Sequence, residues 1–233
     1  MTKIYRIVND LKEFIYPPLC ITCGERLLSP EKYLCINCLA DLPVTNFHLS
    51  PENTVAEIFW GRVKIENATS FFHYRKGSRY QKLIHFIKYR GMKELGNECG
   101  GRFGKILAGS EYYNSTDLIV PVPLHPRKKK KRGYNQSEYI AAGIASALNK
   151  PVCSDNLTRI AYTPSQTKKS RYERWQNVNG IFKINCPEDF KNKHILLVDD
   201  VITTGSTLEA CASEILKITD TKISIATLAY ADF

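Results

Sequence analysis

Two short apolar runs in the second half of the chain have the pattern of strands in a parallel sheet. Residues 118–122 and 195–198 are β-rich and continuously apolar, which is typical of strands covered on both faces. After each run, apolar residues recur at helical spacing, over 140–148 and 208–218. Strand followed by helix, repeated, predicts parallel βαβ units of an α/β fold. Residues 222–230 add a further Ile/Leu/Thr-rich strand.

Upstream of these βαβ units, two shorter segments have an apolar pattern. Residues 70–74 could form a strand, and apolar positions over 83–87 mark an amphipathic helix. The exposed side of that helix should carry Lys82, Lys88 and Arg90. We predict three parts for the chain: a cysteine module over 1–45, a connecting and covering segment over 46–116, and an α/β core over 117–233.

Size and composition are those of a folded protein. The 233 residues suit one full-sized domain with a small accessory unit, and 43% apolar with 24% charged residues is far from the composition of a disordered chain. Charged residues among the first twenty positions, such as Lys3, Arg6 and Asp10, leave no uninterrupted apolar core for a signal peptide. No run of about 18 apolar residues could span a bilayer. We expect a cytoplasmic protein without membrane insertion, in which cysteines are thiols or metal ligands.

Two adjacent carboxylates follow the apolar run 195–198. Ligands of open parallel sheets bind at the carboxyl ends of the strands, so Asp199 and Asp200 should emerge where a ligand lies. Neighbouring carboxylates repel each other unless hydroxyls or a divalent cation engage them. A ribose diol with magnesium meets both needs.

The next loop is small and polar. It has one glycine and no bulky or negative side chain, so several backbone N–H groups can converge on one phosphate. Ser206 and Glu209 have capping-box spacing, which would place a helix N-terminus beside the anion. The alternative is an ordinary capped turn with two solvent-facing aspartates. We predict a 5′-phosphate site formed by Thr203, Thr204, Gly205, Ser206 and Thr207.

Positive charge is concentrated in one region. Residues 121–180 hold 12 Lys/Arg against 3 Asp/Glu, which is +9 of the net +10. Such a field favours polyanions, and a pyrophosphate-bearing metabolite and nucleic acid both qualify. A solvated basic surface loop is the alternative. The predicted pyrophosphate loop comprises Pro123, Leu124, His125 and Arg127.

The cations that follow could neutralise pyrophosphate or lie along single-stranded DNA, and Tyr134 could stack on a base. They are Lys128, Lys129, Lys130, Lys131 and Arg132. A second long basic loop over 163–177, with Gln166 and Arg174, has the character of a mobile flap that excludes water from a reacting site. Disorder without a role is the alternative there.

Four cysteines near the start form two pairs. Each pair has two intervening residues, eleven residues separate the pairs, and this spacing suits one tetrahedral zinc ion. A redox or disulfide role is the alternative. The zinc ligands would be Cys20, Cys23, Cys35 and Cys38. The scattered cysteines, expected to be small core residues, are Cys99, Cys153, Cys186 and Cys211.

Residues 195–207 resemble the phosphoribosyl pyrophosphate (PRPP) signature of type I phosphoribosyltransferases. The resemblance implies that fold, with a parallel sheet flanked by helices. It also implies that Asp199 and Asp200 hold the ribose 2′- and 3′-hydroxyls and that residues 203–207 hold the 5′-phosphate.

In chain order, further motifs make nearly the whole sequence similar to the ComF family. They include the paired cysteines, Tyr89-Arg90-Gly91, residues 121–126, and Arg132-Gly133-Tyr134-Asn135-Gln136, although the family commonly has phenylalanine at position 134. The resemblance implies a bacterial protein linked in some species to natural competence, which handles imported single-stranded DNA and whose partners include competence proteins.

Three functions compete on these grounds. The first is a PRPP-dependent transferase, in which a base nitrogen attacks ribose C1 and magnesium with basic side chains stabilises the departing pyrophosphate. The second, which we favour, is a ComF-like protein that binds PRPP and single-stranded DNA. The third is a non-catalytic PRPP sensor that acts through protein partners.

Overall fold

A four-stranded parallel sheet forms the centre of the computed structural model, which describes residues 16–161 and 180–231. The strand order is β1-β6-β5-β2. These strands are β1 (Asn67–Tyr74), β2 (Leu118–Pro121), β5 (His194–Ile202) and β6 (Lys222–Ala231). A separate antiparallel pair consists of β3 (Leu157–Arg159) and β4 (Phe182–Ile184).

Helices cover both faces of the sheet. In chain order they are α1 (Ile36–Ala40), α2 (Thr54–Glu57), α3 (Gln81–Tyr89), α4 (Lys93–Ala108), α5 (Pro126–Arg132), α6 (Gln136–Leu148) and α7 (Ser206–Ile215). Short 3-10 helices lie at Phe47–Leu49 and Pro187–Asp189. Within 16–161 and 180–231, no helix combines the length and the apolar character needed to cross a membrane.

The predicted α/β class is confirmed, and the predicted strands and helices are found as β1, β2, β5, β6, α3, α6 and α7. The last of these helices ends at Ile215, before the predicted position 218. Helix α4 and the β3–β4 pair were not predicted. The three-part division of the chain stays a prediction, but residues 67–74, assigned there to the connecting segment, form an edge strand of the central sheet.

Strand β5 separates two hydrophobic cores because its side chains alternate between the faces of the sheet. Leu196 and Val198 are buried in the core formed with α3, α4 and α6. Ile195 and Leu197 are buried in the core formed with α2 and α7.

Glycines allow helices α4 and α6 to cross in close contact. A Cβ atom at Gly104 would lie 2.7 Å from the Ala147 Cβ and 2.9 Å from the Ile144 Cα. A Cβ atom at Gly100 would overlap the carbonyl oxygen of Ile140, and one at Gly143 would overlap that of Asn97. The crossing places the N-terminus of α6 beside the end of β5.

The cysteine module packs on the same core as α3. The Tyr80 hydroxyl donates to the Cys38 carbonyl at 3.0 Å, and the Lys82 ammonium donates to the Thr22 carbonyl at 3.0 Å. The module's buried Leu27, Leu34 and Leu42 belong to the core that contains Leu83 and Ile87. Helix α3 therefore connects the module with the central sheet.

Candidate functional site

The acidic pair lies near the carboxyl end of β5 and is held by side chains from two helices. Asp199 accepts a hydrogen bond from the Ser137 hydroxyl at 2.8 Å, at the start of α6. Asp200 forms an ion pair with Lys88 of α3, with 2.9 Å between Oδ1 and Nζ. The expectation that Lys88 lies on the exposed side of its helix is therefore wrong: its side chain is 22% exposed and points to the acidic pair.

Burial and neighbouring charges shift the pKa values of Asp199 and Lys88. Burial raises the pKa of Asp199 to about 7, with a further contribution from the neighbouring Asp200 charge. Burial alone would lower the pKa of Lys88, but the charges of Asp200 and then Asp199 raise it. Asp200 is 4% exposed, and its Oδ2 is buried without a hydrogen-bond partner among the described residues. That oxygen can accept a bond from a ligand hydroxyl.

Gly205 shapes the predicted phosphate loop. Its φ of +71° lies in the left-handed region, and a Cβ atom there would be 2.6 Å from Ile58 Cγ2 and 3.2 Å from Phe59 Cε1. Helix α7 begins at the next residue, so its free N–H groups adjoin the loop. Thr203 and Thr204 are exposed and accessible to a ligand.

The predicted capping box between Ser206 and Glu209 is wrong. The N-cap is Gly205, and no side chain caps the helix. The Ser206 hydroxyl lies 3.0 Å from that of Thr204, and Glu209 forms an ion pair with Arg62. The carboxylate of Glu209 is thus engaged by a residue from the turn after α2.

Arg62 supports the loop and had no signal in the sequence. Its Nη1 donates to the carbonyl oxygens of Ile58 at 2.8 Å and Thr204 at 2.9 Å, while Nη2 bonds Glu209. One guanidinium therefore joins the turn after α2 to the loop before α7. Gly205 of the loop also packs against Ile58 and Phe59, which further joins the loop to the turn after α2.

The basic run forms helix α5 rather than the predicted loop. His125 caps the helix through Nδ1, which accepts from the Arg127 N–H at 3.2 Å, and Pro126 occupies the first turn. Gly133, with a φ of +87°, ends it. Lys129 pairs with Glu138 at 2.8 Å. The exposed cations are Arg127, Lys129, Lys130 and Lys131, whereas Lys128, Arg132, Pro123 and Leu124 are half-buried.

Several cations gather next to the acidic pair. Burial lowers the pKa of Lys128, and the charges of Arg159, Arg132 and Lys88 lower it further. Burial also lowers the pKa of Arg159, against the opposing charges of Cys211 and Asp199. Arg159 is a second site residue that sequence reasoning missed. It is a single cation in the three-residue strand β3, which had no recognisable sequence pattern.

The four predicted metal ligands come together. The sulfur atoms of Cys20, Cys23, Cys35 and Cys38 all lie within 4.8 Å of one another. The N–H of Cys35 donates to the Cys20 sulfur at 3.4 Å, and that of Cys38 donates to the Cys35 sulfur at 3.5 Å. A tetrahedron with metal–sulfur bonds of about 2.3 Å has sulfur–sulfur edges of about 3.8 Å. The cluster therefore fits a metal ion.

Comparison with known proteins identifies the relatives of the chain. The family model for a phosphoribosyl transferase domain matches residues 135–232. Competence protein F of Haemophilus influenzae is 33% identical over 116 residues, which are 49% of this chain and 51% of the relative. DNA utilization protein YhgH of Salmonella typhi is 36% identical over 101 residues, 43% of this chain and 44% of the relative.

These two alignments span about half the length of each relative. Competence protein ComFC of Bacillus subtilis is 24% identical over 238 residues, which are 90% of this chain and 93% of the relative. The chain is thus similar to ComF-family proteins along most of its length, and residues 135–232 match a phosphoribosyl transferase domain. The predicted resemblance is thereby confirmed, together with the parallel sheet and the four-cysteine cluster.

The ComF-family motif at residues 132–136 has a structural role in this chain. Tyr134 is 8% exposed, its hydroxyl donates to the Ile87 carbonyl, and its ring packs edge-on against Tyr139. The expectation that Tyr134 stacks on a base is therefore wrong. Asn135 is also buried, donating to the Val122 carbonyl at 3.0 Å and capping α6.

Two further sets of sequence-predicted residues have different outcomes. Gln166 and Arg174, assigned to a flap, lie outside the described residues. Of the scattered cysteines, Cys99 and Cys211 are buried as expected. Cys153 is half-buried, and Cys186 is exposed, so the expectation of a core position is wrong for Cys186.

Proposed function

We propose that this ComF-like chain binds PRPP with Mg²⁺ at the acidic pair and the adjoining loop. The ribose hydroxyls would donate to Asp199 and Asp200, where the buried Oδ2 of Asp200 lacks a partner among the described residues. The 5′-phosphate would accept from the N–H groups of residues 203–207 and from the N-terminus of α7. The observation that carries this proposal is the position of both features at one end of β5.

The pyrophosphate would face the predicted loop from Pro123 to Arg127 and the neighbouring cations. Arg159, which interacts electrostatically with Asp199, and Lys128, which interacts with Lys88, would supply positive charge to it. Asp199 and Asp200 are the residues that would hold Mg²⁺ beside the ligand, and the ion would supply positive charge to the diphosphate. The chain's own residues orient the ribose and the phosphate, and Ser137 and Lys88 hold the two carboxylates in place.

Titration calorimetry of PRPP with Mg²⁺ tests this proposal. The double variant Asp199→Asn, Asp200→Asn should bind PRPP more than about 100-fold more weakly, because two charged hydrogen-bond acceptors are lost. The matched control is Glu188→Gln, Asp189→Asn, an adjacent acidic pair that is exposed. Equal affinity in the wild type and the Asp199/Asp200 variant would contradict the proposal.

We further propose that the chain acts in DNA uptake by handling single-stranded DNA. Two relatives are named for competence and one for DNA utilization. Helix α5 presents Arg127, Lys129, Lys130 and Lys131 to solvent, and such a cationic surface attracts a nucleic-acid backbone by counterion release. Competence proteins are then the expected protein partners.

The salt dependence of strand binding tests this role. Replacing Lys129, Lys130 and Lys131 by alanine should reduce the slope of log affinity against log salt by about 2, given about 0.7 per phosphate contact. Alanine preserves helix α5, so the variant should stay folded. The matched control replaces Lys183, Lys191 and Lys193, which are also exposed. An unchanged slope would exclude α5 as the binding surface.

Two alternatives share the PRPP site. A PRPP-dependent transferase would release pyrophosphate when supplied with a purine or pyrimidine base. A non-catalytic PRPP sensor would bind PRPP without turnover and without affinity for DNA. A pyrophosphate-release assay across the common bases, together with the strand-binding measurement, separates these alternatives from the DNA-handling role.

We propose zinc as the ion of the four-cysteine cluster. Four thiolates without an open position form the ligand set of a structural zinc site, which stabilises a module too small to do so by its own core. Cys20, Cys35 and Cys38 are buried, and Cys23 is exposed at the edge of the cluster. The ion would stabilise the surface on which α3 packs.

A further inference from the structure

Tyr89 is an exposed aromatic residue held in a defined orientation. It is the last residue of α3, and it is 66% exposed. The guanidinium carbon of Arg132 lies 5.4 Å from the centre of its ring, which is the geometry of a cation–π contact. The His85 ring is tilted against it with 5.2 Å between ring centres. The ring is therefore supported by its neighbours although most of its surface is open.

The position of Tyr89 joins the two parts of the proposed site. The preceding residue, Lys88, forms the ion pair with Asp200. Arg132, which contacts the Tyr89 ring, is the last residue of the cationic helix α5. An aromatic surface thus adjoins the end of a row of cations that suit phosphates, one residue along the chain from the lysine that binds the acidic pair.

We infer that Tyr89 and Arg132 form a stacking site for a base of single-stranded DNA whose phosphates follow α5. The inference rests on the proposed DNA-handling function and assigns it a base-contacting residue. Stacking on an aromatic ring combined with backbone cations is how proteins bind single strands without sequence preference. The planar guanidinium of Arg132 lies over part of the Tyr89 ring and offers a further planar group on which a base can stack. Tyr134 cannot take this role, because its ring is buried.

The test compares two strands of equal charge, a short oligothymidylate and an abasic strand of the same length, by fluorescence anisotropy. Tyr89→Ala should weaken oligothymidylate binding by about 10-fold, since each stacked base contributes that much. It should leave the abasic strand and the salt slope unchanged. Tyr89→Phe keeps the ring and should bind like the wild type. The matched control is Tyr16→Ala, which removes an exposed tyrosine from the cysteine module.

An equal effect of Tyr89→Ala on both strands, or no effect on either, overturns the stacking site while the DNA-handling function stands. If the wild type binds neither strand, both the DNA-handling function and the stacking site are rejected, and the PRPP titration is unaffected. If Tyr89→Ala weakens binding of a free nucleobase in the presence of pyrophosphate but not of the strand, the ring serves a transferase acceptor, and the assignment to DNA is overturned.

Discussion

The ion pair between Lys88 and Asp200 supplies the counter-charge of a buried carboxylate. Lys88→Met should destabilise the free protein by about 2–3 kcal/mol, because it leaves a carboxylate buried without its counter-charge. Combining it with Asp200→Asn should restore part of that loss, since a neutral amide needs no counter-charge. Urea unfolding of the single and double variants measures the coupling. Lys105→Met, at an exposed position, is the control, and strictly additive effects would contradict the coupling.

Gly205 is constrained twice, by its backbone angle and by its neighbours. Gly205→Ala should cost about 1 kcal/mol for its positive φ and at least about 1 kcal/mol more for the overlap with Ile58. Gly77→Ala separates the two effects, because Gly77 has a φ of +82° but no atom within 4 Å of the added Cβ. Thermal unfolding compares the variants. Equal losses of stability would show that Ile58 yields at no cost.

PRPP titration extends the same comparison to the loop. Gly205→Ala should also weaken PRPP binding, because the N–H groups before α7 would move. Gly77→Ala should leave binding unchanged.

At the scale of elements, the crossing of α4 and α6 depends on a few glycines. Gly100→Ala should destabilise the protein by at least about 2 kcal/mol, because its Cβ would overlap the Ile140 carbonyl. Gly101→Ala is the matched control on the same helix. Its Cβ would meet no atom closer than 3.8 Å, so the higher helix propensity of alanine should stabilise by about 0.5–1 kcal/mol. Urea unfolding of both variants measures the difference, and effects of the same sign would contradict the close crossing.

His194 is the first residue of strand β5, at the end opposite the acidic pair. We expect its side chain to make the stability of the protein depend on pH. Its ring nitrogens lie 2.9 Å from the hydroxyls of Ser115 and Ser224. Burial lowers the pKa of His194, Glu66 and Asp117 oppose the shift, and Lys222 adds to it. Below the ordinary value of 6.5, the unfolded chain takes up a proton that the folded chain resists. The stabilisation contributed by neutral, buried His194 is therefore complete above pH 6.5 and is lost as the pH falls below that value.

Unfolding midpoints in urea, measured from about pH 7.5 to about pH 5.5, test this dependence. His194→Gln retains hydrogen-bonding capacity without titrating and should flatten the curve. The same substitution at exposed His85 should leave the wild-type pH dependence in place. A curve of equal slope in wild type and His194→Gln would assign the acid sensitivity to other groups.

For the whole molecule, the four-cysteine cluster connects the N-terminal module to the core through α3. The purified protein should contain one equivalent of zinc. Cys20→Ser should lower that content and reduce the Tm by at least about 5 °C, because the module contributes Leu27, Leu34 and Leu42 to the main core. Metal analysis and thermal unfolding measure both effects. Cys186→Ser, at an exposed cysteine outside the cluster, should change neither, and a full equivalent of zinc in Cys20→Ser would contradict the four-ligand site.

The order of elements and the identity of the central motif could be predicted from local pattern. Buried strands have continuous apolar runs, and their helices have a 3.6-residue period, so β2, β5, β6, α6 and α7 were evident. Helix α4 was missed because its glycines lower its helix propensity, although the crossing with α6 requires several of them. Ligand spacing predicted the cysteine cluster, because a chelating pair is defined within a few residues.

The fold class, the acidic pair after its strand, the polar loop and the paired cysteines are all local in the chain, and local pattern was therefore enough to predict them. The side chains that complete the site come together only through packing. Ser137 meets Asp199 across 62 residues, and Arg62 meets Glu209 across 147. Packing also buries Tyr134 and leaves Tyr89 exposed. The physical reason is that the direction of a side chain follows from the packing of whole elements, which no short segment contains.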